Sequence, residues 1–302
     1  MFEYYKIDTL INEPSSFWIN LIITILGTSI GFLGAFWLAN RTYKKQLKTE
    51  YNAKLELYKD RLRYMLLLIE SALKSIEKQT DNFEDLAKEY KKDPTEKHLL
   101  RLIASNDLHR LQAMDTEEVF RAYFLVIPNN SEKNNDYKKI YGYIDFLFRS
   151  QKQTIESTEK QVGFVYRDQM FIKKTIEKLT NQMYKWIKRI EKEDPAYSSL
   201  GKYSFLVHYH MIYTQLIEEQ SKLRRIEEEF LIPFGQLLLK DYKYEEYFGE
   251  IHNLASKAII RFNHLKMNSD NFANDLNSQR SLMKNSFESL TAIKNKLQGY
   301  LN

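Results

Sequence analysis

The chain has 302 residues, no cysteine, nine glycines and five prolines, with a formal net charge of +5. Without cysteine there is no disulfide scaffold, thiolate zinc site or cysteine nucleophile. So few turn-making residues argue against a many-stranded sandwich, a propeller or a glycine-rich nucleotide-binding sheet, and favour long uninterrupted helices.

Residues 1–16 read as a short acidic tail, in which Glu3, Asp8 and Glu13 outnumber Lys6. The run Phe17 to Ala39 carries no charge. It would form about 35 Å of helix at roughly 1.5 Å per residue, enough to cross a hydrocarbon core of about 30 Å. Trp18 and Trp37 stand near its ends, where indole rings favour the lipid–water boundary, and Arg41, Lys44, Lys45 and Lys48 follow at once. The basic flank on the C-terminal side predicts a single-pass anchor in the inner (cytoplasmic) membrane, with the N-terminus outside and the bulk of the chain in the cytoplasm. A cleaved signal peptide would carry its basic residues first and a shorter apolar core.

Within this span Asn20, Thr24, Gly27, Thr28, Gly31, Gly34 and Ala35 share one helix face roughly 120° wide, and Gly27 and Gly31 form a G-x-x-x-G step. Such a face either packs helices together or, in several copies, lines a pore with Asn20, Thr24 and Thr28. Both readings require a homo-oligomer.

The rest of the chain predicts helices over 41–92, 94–127, 137–193, 203–240 and 243–300. Residues 40–128 would form membrane-proximal helices, and 137–302 a cytoplasmic long-helix bundle. Three of the helices carry seven-residue apolar seams: Leu55, Leu62, Ile69, Ile76, Phe83 and Tyr90; Ile144, Gln151, Thr158, Val165, Ile172, Leu179 and Trp186; and Phe248, Ala255, Phe262, Ser269, Leu276, Met283, Leu290 and Leu297. Asp93-Pro94-Thr95-Glu96 reads as the start of the second helix, and Asp115-Thr116-Glu117-Glu118 as a second cap that would split it. Pro233 should kink or break the fourth. The fold class expected is all-α: one N-terminal transmembrane helix, then an elongated bundle of coiled-coil-like helices.

Aromatic residues cluster at Tyr141, Tyr143, Phe146 and Phe148, at Tyr203, Phe205, Tyr209 and Tyr213, and at Tyr242, Tyr244, Tyr247 and Phe248. Alternating helices would put the first and third clusters at one end. They read as bundle ends, or as a pocket that stacks a flat ligand.

No phosphate-binding loop, dinucleotide fingerprint, nucleophile elbow or H-E-x-x-H occurs. His208 and His210 fall on different sides of a helix, so they do not make a metal pair there. No catalytic residue, metal site or cofactor is expected, and the chain does not read as an enzyme. The one chemical signal is a row of Lys174, Lys178, Lys185, Lys188 and Lys192 on a single face, opposite Ile176, Leu179, Met183, Trp186 and Ile190. That row is a solvated flank of a coiled coil, or a binding face for a polyanion such as a single-stranded oligonucleotide or nucleotide.

A short outer tail, one anchor with a small-polar face, a basic collar and a large helical body together resemble the membrane effectors of bacterial anti-phage defence. The layout from residue 17 to 300, and the lysine row, also resemble the Hailong-type channel effector. The resemblance implies an oligomeric ion channel or membrane-disrupting protein governed by a nucleic-acid signal, working with a nucleotidyltransferase. The alternative is a membrane-tethered coiled-coil scaffold that docks a protein partner and conducts nothing.

Overall fold

With so few helix breakers, the backbone satisfies its own hydrogen bonds over long stretches and buries one apolar stripe per helix. In the computed structural model, which describes residues 14–129, 131–193, 204–242 and 248–301, these stretches are α1 (Pro14–Lys92), α2 (Asp107–Ala113), α3 (Thr116–Val126), α4 (Lys133–Glu193) and α5 (Ser204–Glu218). They continue as α6 (Leu223–Ile226), a π-helical turn (Glu227–Leu231), α7 (Ile232–Asp241) and α8 (Gly249–Leu301). No strand occurs among the described residues.

The apolar run and the first heptad helix are one element, because nothing between residues 14 and 92 interrupts α1. Its apolar stretch is wholly exposed, and it is the one described helix segment long and apolar enough to cross a membrane. The acidic N-terminal tail lies largely outside the described residues, as does the turn expected around Pro195.

The chain divides into two compact units, Met1–Arg63 with Thr116–Pro128, and Tyr64–Asp115 with Asn129–Asn302. In the first, Arg61 of α1 pairs with Glu118 of α3. The second is built on α4 and α8, which run antiparallel: Asp136 meets Lys296, Gln161 meets Ser269, Asp168 meets Arg261 and Gln182 meets Glu250. The 64–92 portion of α1 packs antiparallel to α8, through Glu84 with Arg280 and Tyr90 against Phe272.

The heptads become the core. Every member of the seam from Phe248 to Leu297 is buried, Ser269 included, as are Leu62, Ile69, Ile76, Phe83 and Tyr90 of α1. On α4 the seam is less complete: Gln151 and Trp186 are only partly buried, and the buried positions between Leu147 and Val165 are the polar Ser150, Thr154, Thr158 and Gln161. Thr154 and Thr158 satisfy their hydroxyls on the carbonyls of Ser150 and Thr154, at 2.8 and 2.7 Å. Buried hydroxyls placed this way avoid the cost of an unpaired polar group.

The expected helix over 94–127 does not form as one piece. Residues 93–106 make an irregular strap, and the helices that follow are α2 and α3, the latter starting at Thr116 as its capping signal predicts. The strap's backbone finds its partners at a distance. Gln79 donates to the Arg101 carbonyl at 3.2 Å and accepts from the Ile103 N–H at 2.8 Å, while Asn82 donates to the same Arg101 carbonyl at 2.8 Å. Gln169 donates to Thr95 at 2.7 Å and Ser269 to Pro94 at 2.8 Å. With those carbonyls occupied, helix is no longer the only way to satisfy them.

The fourth predicted helix breaks at 219–222, not at Pro233. Pro233 has no N–H for the carbonyl of Glu229, four residues back; the preceding π-helical turn, Glu227–Leu231, widens the spiral and lets the helix run on through α7. The second and third aromatic clusters, rather than the first and third, come together: Phe205 lies 4.4 Å from Tyr242 and 5.8 Å from Phe248, and Trp186 lies 6.2 Å from Phe248. Phe148 is at the other end of α4, stacked on His109. The expected alternation fails because the strap replaces a full-length return helix. Tyr203, Tyr244 and Tyr247 lie outside the described residues.

Candidate polyanion face and membrane helix

On the apolar part of α1, Asn20, Thr24, Gly27, Thr28, Gly31, Gly34 and Ala35 are all exposed. Thr24 donates its hydroxyl to the Asn20 carbonyl at 2.8 Å, and Thr28 donates to Thr24 at 2.8 Å and to Ile25 at 3.0 Å. These hydroxyls therefore need no water. The Asn20 amide has no such partner among the described residues. A Cβ built at Gly27, Gly31 or Gly34 meets nothing within 4 Å, so the three glycines leave an open groove along the helix. Arg41, just beyond, sits 5.3 Å over the Trp37 ring.

The lysine row lies on α4 in the second unit. Lys174, Lys178, Lys185, Lys188 and Lys192 are all exposed, while Ile176, Leu179, Met183 and Ile190 are buried on the opposite side. Lys188 is the tempered member, 3.0 Å from Glu191 and 5.6 Å over the Tyr184 ring.

The row is longer than the five lysines picked out by sequence. Lys160 and Arg167 are also exposed and continue it at the same seven-residue step toward Lys174. From Lys160 to Lys192 the basic face covers about 48 Å at roughly 1.5 Å per residue. The signal that finds Lys160 and Arg167 is this step, which is hidden when only the densest lysine stretch is considered. Both line a groove of about 600 Å³ with Phe164, His264, Asn268 and Asn271. There a ring, amide side chains and two cations share one surface.

Behind this face the bundle buries charge. Asp168 of α4 is fully buried, with Arg261 Nη2 at 2.5 Å and His264 Nδ1 at 3.5 Å. Glu227, also fully buried, opens the π-helical turn and meets Lys266 Nζ at 2.7 Å. None of the four carboxylate oxygens receives a well-directed hydrogen bond, so both contacts are ion pairs held mainly by proximity. Arg261 also lies 5.3 Å from the Phe171 ring centre.

No known family model, curated protein or solved structure matches this chain. Its chemistry is therefore read from its own residues. No cluster of three His, Asp or Glu side chains able to hold a metal occurs among the described residues.

One titratable group sets a pH dependence. His210 of α5 is partly buried beside the Tyr184 ring, 5.8 Å away, and burial holds its pKa below the ordinary histidine value. The unfolded chain then takes up a proton before the folded one as pH falls. Stability contributed by neutral His210 is complete above the unfolded pKa of about 6.5 and is lost as pH falls through that value toward the depressed folded one. The denaturation midpoint is expected to drop between about pH 7 and pH 5, and the His210→Phe variant to give a flatter profile over that range.

Proposed function

We propose that this protein is an oligomeric single-pass membrane effector. Residues 17–39 cross the inner membrane with the N-terminus outside, and the cytoplasmic helical unit answers to a polyanion, a single-stranded oligonucleotide or nucleotide signal, bound along α4. In the manner of the defence effectors it resembles, the bound signal controls a pore or a disruption of the bilayer.

The observation that carries this reading is the continuity of α1. The charge-free span and the core residues Leu62 to Tyr90 belong to one helix with no break from Pro14 to Lys92. A passive tether needs only a flexible link, whereas an unbroken helix gives a change in the bundle a route to the membrane. The open glycine face and the Asn20 amide support self-association of the span, since small residues allow backbones to approach and an amide in lipid requires a partner.

The ligand half is tested by fluorescence anisotropy with a labelled oligothymidylate and full-length protein in detergent, at several salt concentrations. Wild type should show log affinity falling with log salt by about 0.7 for each phosphate contacted. Replacing Lys178, Lys185 and Lys188 together by Glu should abolish the binding. Salt-independent or unchanged binding in that variant removes the polyanion from the function.

A further inference from the structure

A second concavity, apart from the lysine row, lies where α4 meets the break between α5 and α6. It encloses about 640 Å³, within the range of roughly 300–1,000 Å³ usual for small-molecule sites. Its floor is apolar, from the buried Ile176, Leu223 and Ile226, with Tyr213 and the exposed Ile217 beside them. Lys97 from the strap, whose Nζ lies 4.7 Å over the Tyr166 ring, and Lys173 from α4 line it together with the carboxylates of Glu96 and Glu177. Lys222 adds a third ammonium, whose contact with Asp93 is long, at 3.4 Å.

The walls of this cleft are built. Gln169, itself lining it and nearly fully buried, holds the strap by its bond to the Thr95 carbonyl at 2.7 Å, and Thr95 is fully buried. Arg224 holds the Lys92 carbonyl at 3.1 Å, so the strap's first corner is fastened to α6. On the other wall Gln220 takes a left-handed backbone, φ 52°, the one non-glycine positive φ among the described residues. This is the left-handed residue of the cap that ends α5: the Gln220 N–H donates to the Ile217 carbonyl at 3.0 Å and the Ser221 N–H to the Leu216 carbonyl at 2.9 Å, so the helix end itself shapes this wall. The π-helical turn that accommodates Pro233 begins one residue past Ile226 of the floor.

We infer that this cleft binds a small phosphorylated ligand with a planar ring, of the nucleoside mono- or diphosphate class. The phosphates meet Lys97, Lys173 and Lys222, and the ring lies on the apolar floor against Tyr213. Gln220, Ser221 and Glu177 supply hydrogen-bonding groups at the rim. Lys173 points about 100° away from Lys174 around the helix, so the cleft is a separate site from the polyanion face and does not depend on it.

The test is a fluorescence titration of full-length detergent-solubilised protein with ADP carrying a ribose-linked N-methylanthraniloyl reporter. Saturable binding is expected in wild type. Lys97→Glu and Lys173→Glu should each weaken it about tenfold or more, as loss of a charge-assisted contact does, and Lys173→Ala by less. Lys178→Glu, on the lysine row, should leave it within about twofold; unlabelled oligothymidylate, the probe for that row, should not displace it. Circular dichroism on each variant checks the fold, which these exposed lysines do not support. Non-saturable binding in wild type, equal affinity in all variants, or weakening by Lys178→Glu alone would each overturn the assignment.

Discussion

Leucine at both Gly27 and Gly31 is expected to dissolve the proposed oligomer while leaving the protomer folded. In the single chain, a Cβ at either position meets nothing, and leucine is a better helix former than glycine, so the helix itself loses nothing. Between copies the situation reverses. Closely approaching backbones leave no room for two isobutyl groups, and overpacking costs about 1–3 kcal/mol at each site, weakening association about tenfold to a hundredfold for each. Native mass spectrometry in mild detergent should show a discrete oligomer for wild type and a monomer for the double variant. Leakage of a dye from liposomes carrying the protein should fall with it. An oligomer that survives both leucines would show that the span does not hold the copies together, and would favour a tethered scaffold assembled elsewhere.

The largest stability loss is expected from Arg261→Ala. Asp168 is fully buried in α4, and Arg261 is its nearer neighbour, at 2.5 Å. Removing the guanidinium leaves a carboxylate in a low-dielectric interior with only His264 at 3.5 Å beside it. Breaking one side of a buried ion pair costs about 3–5 kcal/mol, and the lower end applies because the Arg261 side chain retains 37% exposure. Urea unfolding should report about 3 kcal/mol, and thermal unfolding a drop of about 6–12 °C. The double variant Asp168→Leu with Arg261→Met should recover most of the loss, because it removes the charge along with its partner. If Arg261→Ala were neutral, the pair would be solvated in solution and would not fix the register of α4 against α8.

The fold class was legible in the sequence for a simple reason. Heptads report burial directly when two long helices lie side by side, and all eight members of the Phe248–Leu297 seam are indeed buried. The apolar run was equally plain, since a long absence of charge needs no tertiary context to be seen. The lysine row followed from helix periodicity alone, and its extension through Lys160 and Arg167 lies within the helix predicted over 137–193 and is found by the same seven-residue step.

Other features depended on partners far away in the chain. Asp93-Pro94-Thr95-Glu96 has the local form of a helix start, yet Gln79, Asn82, Gln169 and Ser269 take the strap's backbone groups and hold it irregular. Local propensity is worth tenths of a kcal/mol to about 1 kcal/mol per residue, so several hydrogen bonds from distant side chains together outweigh it. The pairing of Asp168 with Arg261, the meeting of Phe205 with Phe248 and the cleft beside Gln220 are likewise matters of which helix lies against which. The sequence by itself determined the helices' periodic faces, the charge-free span and the basic row, because each depends on residues within a few turns of one another. Only the tertiary structure decided the strap, the buried ion pairs and the cleft, because their energies come from contacts made across the bundle.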